Sequence, residues 1–209
     1  MNLYKTFTEE LRQDSGRDQL PTDGTVKFED PKLGLLIQQF GGHSFNDGLY
    51  RVICASKIAA WNTTVEAVFP AFAGRISCFG TDWLGRVFAL DRGRKVDGLP
   101  AVIMLQPGTG DALDIPCSLL SFHNDELVNF RNEAVAESFF QEWRAFGGPA
   151  PRFSECIGYK RPLFLGGADT IENLEVSDLE VYWSISGQLV RKTRNLPIGT
   201  PIQGLKIEN

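Results

Sequence analysis

Histidine, paired cysteine, basic charge and long apolar runs are what this chain has least of, and each shortage excludes something. Only two histidines occur in 209 residues. His43 and His123 fit neither H-x-x-x-H nor H-E-x-x-H spacing, which excludes a local zinc-hydrolase motif. The four cysteines, Cys54, Cys78, Cys117 and Cys156, form no C-x-x-C pair and each stands beside apolar residues, so free buried thiols are expected. No apolar run approaches the roughly 20 residues that span a bilayer. The start, Met1-Asn-Leu-Tyr-Lys-Thr-Phe7, lacks the basic residues, apolar centre and small-residue cleavage site of a secretory signal. A reduced, cytoplasmic setting without membrane contact is therefore expected. Lys and Arg number 21 against 26 Asp and Glu, a net charge of −5. That balance gives direct nucleic-acid binding little support and accommodates a basic protein partner more easily. With no internal repeat and no low-complexity block, solenoid and collagen-like assemblies drop out.

Nucleotide motifs are missing too. Pro107-Gly-Thr-Gly-Asp111 has the glycines of a phosphate loop but no Gly-Lys-Ser/Thr after them, so nothing would hold the outer phosphates or magnesium. No G-x-G-x-x-G follows a strand-like segment. No cofactor or metal is expected. A nucleophilic site would have to assemble in space, from Cys156, His123 and Asp125 or from Ser44 and His43, and a small hydrolase using His123 and Cys156 stays open on those terms.

What the chain does have is core-forming material. Hydrophobic residues make up 43%, with 15 Phe, 4 Trp and 4 Tyr, and 21 Gly and 11 Pro supply many turns. Leu3, Phe7 and Leu11 recur every four residues, which predicts a short amphipathic helix over 2–13 that must dock to persist. Residues 14–31 are polar and punctuated by Gly and Pro, a linker or surface loop. Leu33 to Phe40 reads as a helix stopped by Gly41-Gly42, and Leu49 to Cys54 as a strand. Ser56 would cap a helix running to Phe69 before Pro70, with Ile58, Trp61 and Val65 on one face. Residues 75–79, 86–90 and 101–105 are strand-like, separated by 82–85 and by a charged turn at 91–95; 107–110 is a hairpin turn, followed by a short strand at 113–116. Asn124 to Phe146 is predicted helical with a break near Asn132, and with Val135, Phe139, Trp143 and Phe146 facing the core before Gly147-Gly-Pro149.

Towards the C-terminus, Pro162 to Leu165 reads as a strand, Gly166-Gly167 as a turn, and Asp169 with Glu172 as a helical capping box. Leu179 to Ile185 alternates like a final strand, and an extended tail should follow Gln188. The fold class is α+β, a largely antiparallel mixed sheet packed by helices. Its divisions are an N-terminal helix and linker over 1–47, a main domain over 48–192 and a tail over 193–209.

Carboxylates are plentiful from Glu126 to Glu180, but no spacing singles out an acid–base pair. Helix caps and a solvated acidic face account for them. As a functional surface, such a face would dock a basic protein such as a nuclease, whose own groove must be positive. Trp83, in a turn between strands, either folds back over the core or anchors an interface, and Arg86 would pair with Asp82 or Asp91. Asp82, Trp83 and Arg86 in that turn, and Asp169, Glu172 and Asn173 beyond the glycine turn, are the candidate partner-binding residues.

Several stretches taken together resemble one family: Gly48-Leu-Tyr-Arg51, Ala71-Phe-Ala-Gly-Arg75, Phe79-Gly-Thr-Asp-Trp-Leu-Gly-Arg-Val-Phe-Ala89, Gln106-Pro-Gly-Thr-Gly110, Phe139-Phe-Gln-Glu-Trp143, Leu165-Gly-Gly and Glu172-Asn-Leu174. In their order they are similar to the type VI secretion DNase-immunity proteins over most of residues 33–192. The first 40 or so residues resemble a shortened form of the GAD-like domain that often precedes that family's immunity domain. The family is similar in turn to immunity proteins related to a fungal cell-wall-synthesis regulator, whose scaffold is an α+β sheet packed by helices. The resemblance implies a non-catalytic, cytoplasmic protein that binds a cognate secreted toxin, typically a type VI DNase effector, and blocks it by occluding its active site or distorting its fold. A regulatory scaffold for another protein partner would share the same surface logic.

Overall fold

The structure is a computed structural model that describes residues 3–15, 28–197 and 200. The polar linker expected over 14–31 thus lies largely outside the described residues, as do 201–209 of the expected tail.

The chain opens with α1 (Lys5–Glu10) and α2 (Pro31–Phe40). α2 begins where Asp30 accepts hydrogen bonds from the Lys32 and Leu33 N–H groups, with Pro31 in the first turn, where its missing N–H costs nothing. Strands β1 (Ser44–Phe45), β2 (Tyr50–Val52), β3 (Ile76–Asp82), β4 (Val87–Val96), β5 (Leu99–Gln106) and β6 (Asp111–Ser118) form one antiparallel sheet in sequence order, a meander. Between β2 and β3, a 3₁₀ turn at Ala55–Lys57 feeds α3 (Ile58–Val68). Ser56 lies within that turn and does not cap the helix. Asp91 to Lys95 is no turn either: β4 continues through a register shift there, and the chain reverses at Asp97-Gly98, both at positive φ.

After β6 come the short α4 (Leu119–Ser121), one π-helical turn (Phe122–Glu126), α5 (Leu127–Asn129), α6 (Arg131–Val135) and α7 (Glu137–Ala145). The breaks fall at Phe130 and at Ala136, which adopts a left-handed conformation. Phe140 and Trp143 face the core, whereas Phe146, expected there, is 67% exposed beyond the helix end.

β7 (Glu155–Tyr159) and β8 (Leu174–Asp178) then pair antiparallel as a second, two-stranded sheet. Pro162–Leu165, expected as a strand, instead enters a 3₁₀ turn at Leu163–Leu165. Leu179 to Ile185, also expected as a strand, opens α8 (Leu179–Thr193), started by Asp178 accepting from the Val181 N–H. The apolar residues there fit both periods. Burial of Leu179, Tyr182, Trp183, Ser186, Gly187 and Val190 follows the helical one, leaving Val181 and Ile185 outside. The helix therefore runs to Thr193, beyond Gln188, where the extended tail was expected to begin.

The described parts of residues 3–47 share one core with the rest. α1 survives its shortness because Asn124 clasps it, accepting from the Phe7 N–H and donating to the Leu3 carbonyl, while Phe7 packs on Phe40, Phe45 and Tyr50. All four cysteines are free and buried.

Candidate functional site

The turn from β3 to β4 is a rivet between the main sheet and the C-terminal elements. Asp82 Oδ1 accepts from the N–H groups of Leu84 and Arg86, and Oδ2 from Arg86 Nε at 2.5 Å. The Arg86 guanidinium also donates to the Ala134 carbonyl. Burial pushes the Asp82 carboxyl up, and the Arg86 charge and hydrogen bonds pull against that. Trp83 donates its indole N–H to the Val135 carbonyl and packs on Phe139 and Phe140, while its own carbonyl accepts from Ile157 in β7. Gly85 sits at φ +75°, where a Cβ would meet Cys156 and Leu179, and its carbonyl accepts from the Trp183 indole.

Asp82, Trp83 and Arg86 all lie inside the fold, so of the two placements open to Trp83 the core-facing one is found. The first two are fully buried and Arg86 nearly so, because a turn that must seat a tryptophan between two sheets cannot also face solvent. The pairing of Arg86 with Asp82 is as expected; Asp91 pairs with Arg75 instead.

Arg51, carried by β2, reinforces the same junction. Its buried guanidinium donates to the carbonyls of Arg152, Phe153, Glu155 and Asp82, tying the loop before β7 to the sheet. Burial lowers its pKa. Only the Gly48-Leu-Tyr-Arg51 resemblance pointed at this residue; neither charge nor spacing did.

Asp169, Glu172 and Asn173 lie at the surface loop between β7 and β8. Asp169 accepts from the Tyr159 hydroxyl at 2.6 Å and does not cap a helix, so the expected capping box is absent and Ile171–Asn173 is a single 3₁₀ turn. Asp169 and Glu172 are exposed. Asn173 is half-buried and holds the glycine turn, donating to the Arg161 and Ala168 carbonyls and accepting from the Arg161 N–H.

The hydrolase constellations do not assemble. His123 is fully buried in a cage of Tyr4, Phe7, Tyr50, Phe79 and Phe122. Its Nδ1–H donates to the Leu119 carbonyl at 2.8 Å, which leaves Nε2 to accept from the Tyr50 hydroxyl at 2.9 Å. Burial lowers its pKa to about 4, so the ring is neutral near pH 7. Cys156 lies near Arg51, and adjacent strand residues Tyr50 and Arg51 point to opposite faces, so His123 and Cys156 are separated by the sheet. Burial also raises the Cys156 thiol pKa. Asp125 pairs with Asn129, and the Ser44 hydroxyl donates to Asp14 rather than to His43. Among the described residues no group of three His, Cys, Asp or Glu is arranged for a metal, and no helix is long and apolar enough to cross a membrane.

Charge is unevenly distributed. Residues 119–190 carry eleven Asp and Glu against five Lys and Arg, whereas the other residues carry 15 against 16. None of those eleven carboxylates is buried, and Asp125, Glu133, Glu142, Asp169, Glu172, Glu175, Asp178 and Glu180 are exposed. Clefts open at the surface of the described residues. One of about 740 Å³ lies between the start of α2, α3 and β3–β5, lined by Phe28, Leu33, Ile58, Leu90 and Pro100 among others. A smaller one of about 290 Å³ lies between the starts of α3 and α8.

Residues 119–190 match the family model described as the C-terminal region of the T6SS immunity protein Tdi1. No curated protein matches the chain. Among solved structures, the crystal structure of Atu4351 from Agrobacterium tumefaciens superposes with a TM-score of 0.57 at 14% identity, over 88% of this chain and 88% of that one. At that identity the two share a fold.

Proposed function

We propose that this chain is a type VI immunity protein that binds and neutralises a cognate effector toxin, a basic nuclease, and does no chemistry of its own. The observation that carries the reading is the family match over residues 119–190, which falls on the stretch holding the chain's excess negative charge. A nuclease must present positive charge to the phosphate backbone. An acidic surface steers association with such a groove and occludes it once docked. The binding face therefore lies on the exposed carboxylates of α5–α8 and the β7–β8 loop, where Asp169 and Glu172 remain candidates for direct contact. Asp82, Trp83, Arg86 and Asn173 act on that face through the fold.

Co-expression with the toxin gene encoded beside this one tests the reading, with cell survival and co-purification scored together. Survival with a stable complex is expected. A toxic neighbour that kills despite this chain, with no complex recovered, overturns it.

A further inference from the structure

Among the described residues the sheets have four outer edges, and three of them are closed. β1 is covered by the chain before it, where Gln13 bridges Phe45 and the Asp14 N–H donates to the Ser44 carbonyl. β6 is interrupted by Pro116 and by a register shift against β5. β7 is held on its outer side by the Trp83 carbonyl, which accepts from the Ile157 N–H at 2.7 Å. β8 has no such protection. Its five residues, Leu174-Glu-Val-Ser-Asp178, pair with β7 without a register shift and include no proline, glycine or lysine. Because Ile157 turns its N–H to Trp83, its pair with Val176 is of the kind that exchanges no hydrogen bonds, and Val176 directs its own N–H and C=O away from β7. Neither group meets a partner among the described residues, and Val176 is 40% exposed. A regular edge with free backbone groups is a template for another strand.

We infer that β8 receives an extended, basic segment of the partner as a third strand of the β7–β8 sheet. The outward N–H and C=O of Val176 set the chemistry of the occupant, since an extended backbone offers a carbonyl and an N–H at the matching spacing. Charge then selects among strands. The cations nearby are engaged: Lys57 with Glu180, Arg152 with Glu155, and Lys160 and Arg161 with the Glu172 and Leu165 carbonyls. Asp178 uses one oxygen to cap α8. Glu175 is exposed, has no ion pair among the described residues, and stands across β7 from Gly158, which brings no charge. A strand bearing lysine or arginine is drawn to that rim and an acidic one is repelled. The same argument disfavours a second copy of this chain. Antiparallel pairing about Val176 would set the Glu175 of each copy diagonally across from the other on one face, with no cation on either strand. The inference rests on the immunity reading for the identity of the partner, but the edge can be probed without it.

The test uses the full chain and reads the Val176 amide by NMR hydrogen exchange. In the free protein that amide should exchange fast; protection there overturns the inference, because the edge would already be covered. Binding of the toxin encoded beside this gene should slow its exchange by about 10-fold or more. Val176→Pro removes the outward donor without breaking a bond to β7 and should weaken toxin affinity by about 10- to 100-fold, whereas Val176→Thr, which keeps the N–H and the branched side chain, should leave it unchanged. Glu175→Lys should weaken it by about 3- to 10-fold, chiefly through slower association. If Val176→Pro melts early, the wild-type amide and Glu175→Lys decide. Toxin binding that leaves the Val176 amide fast overturns the edge and leaves the immunity reading intact. A wild type that binds no toxin overturns the immunity reading, and the peptide N-acetyl-Lys-Val-Lys-Val-Lys-amide then decides the edge, with its glutamate-for-lysine counterpart as control. Slowed Val176 exchange with the lysine peptide alone supports the inference; no response, or an equal one with the control, overturns it.

Discussion

The main sheet and the C-terminal elements use their carboxylates in opposite ways. In β3 and β4, Asp82 and Asp91 are buried and each is held by an arginine, Arg86 and Arg75, so charge is part of the interior construction. Across residues 119–190 no carboxylate is buried. A buried ion pair fixes geometry at high desolvation cost, whereas exposed charge contributes little to stability and is free to act on a partner. One half holds the molecule together and the other presents a surface, and the β3–β4 turn joins them.

The comparison predicts a double dissociation, strongest in the turn. Asp82→Ala leaves the Arg86 guanidinium buried without its carboxylate and removes the acceptor for two backbone N–H groups. It should cost about 3–5 kcal/mol in urea unfolding, while toxin affinity per folded molecule stays unchanged. A variant of normal stability that no longer binds would break the division by placing Asp82 in the interface. His123 comes next. Its pKa is about 4 when folded against an ordinary value near 6.5, so the unfolded chain binds more protons between those pH values. Its contribution is therefore present at pH 7 and is lost as pH falls from about 6.5 towards 4, by about 3 kcal/mol at pH 4. The stability difference between wild type and His123→Gln should narrow across that window; a constant difference would show that His123 does not titrate inside the core.

The same division governed what could be read in the sequence. β3, β4 and β5 are apolar runs rich in β-branched and aromatic residues and bounded by turns, so their existence was plain although their ends were not. The four buried free thiols and the α+β class followed from composition and order. The C-terminal part misled because its apolar spacing is degenerate. Val181 and Ile185 make Leu179–Ile185 alternate like a strand, yet both are surface residues of α8, and the Asp178 cap together with the small, buried Ser186 and Gly187 decides for helix. Asp169 and Glu172 had the spacing of a capping box, but Tyr159, remote in the apolar pattern, claims the Asp169 carboxylate. Which way Trp83 would turn could not be read, because nothing local shows that β7 and α6 will close over its turn.

Packing between the C-terminal elements gives a smaller effect. A Cβ on Gly158 would lie 2.6 Å from the Tyr182 ring, which is held between β7 and α8. Gly158→Ala should therefore lower stability by about 1–3 kcal/mol through overpacking, read as a shift of the urea midpoint. It should also reduce toxin binding, because β7 and α8 carry the proposed face; unaltered affinity would move that face away from them.

The smallest effect on stability belongs to the exposed carboxylates, and there the division is sharpest. Glu142 on α7 and Glu175 on β8 are exposed, and no ion pair to either is found among the described residues. Glu142→Gln/Glu175→Gln should leave the unfolding midpoint where it is, since neither group supports the core. If these charges steer a basic toxin, the change should appear in the association rate and not in dissociation, and should shrink as salt is raised because a Debye length of about 8 Å at physiological ionic strength screens surface charge. Stopped-flow association at two salt concentrations reads this directly. A slower association at low salt that converges with wild type at high salt supports a steering face on residues 119–190. A change confined to the dissociation rate would instead make these carboxylates direct contacts, and no change in either rate would move the face elsewhere on the molecule.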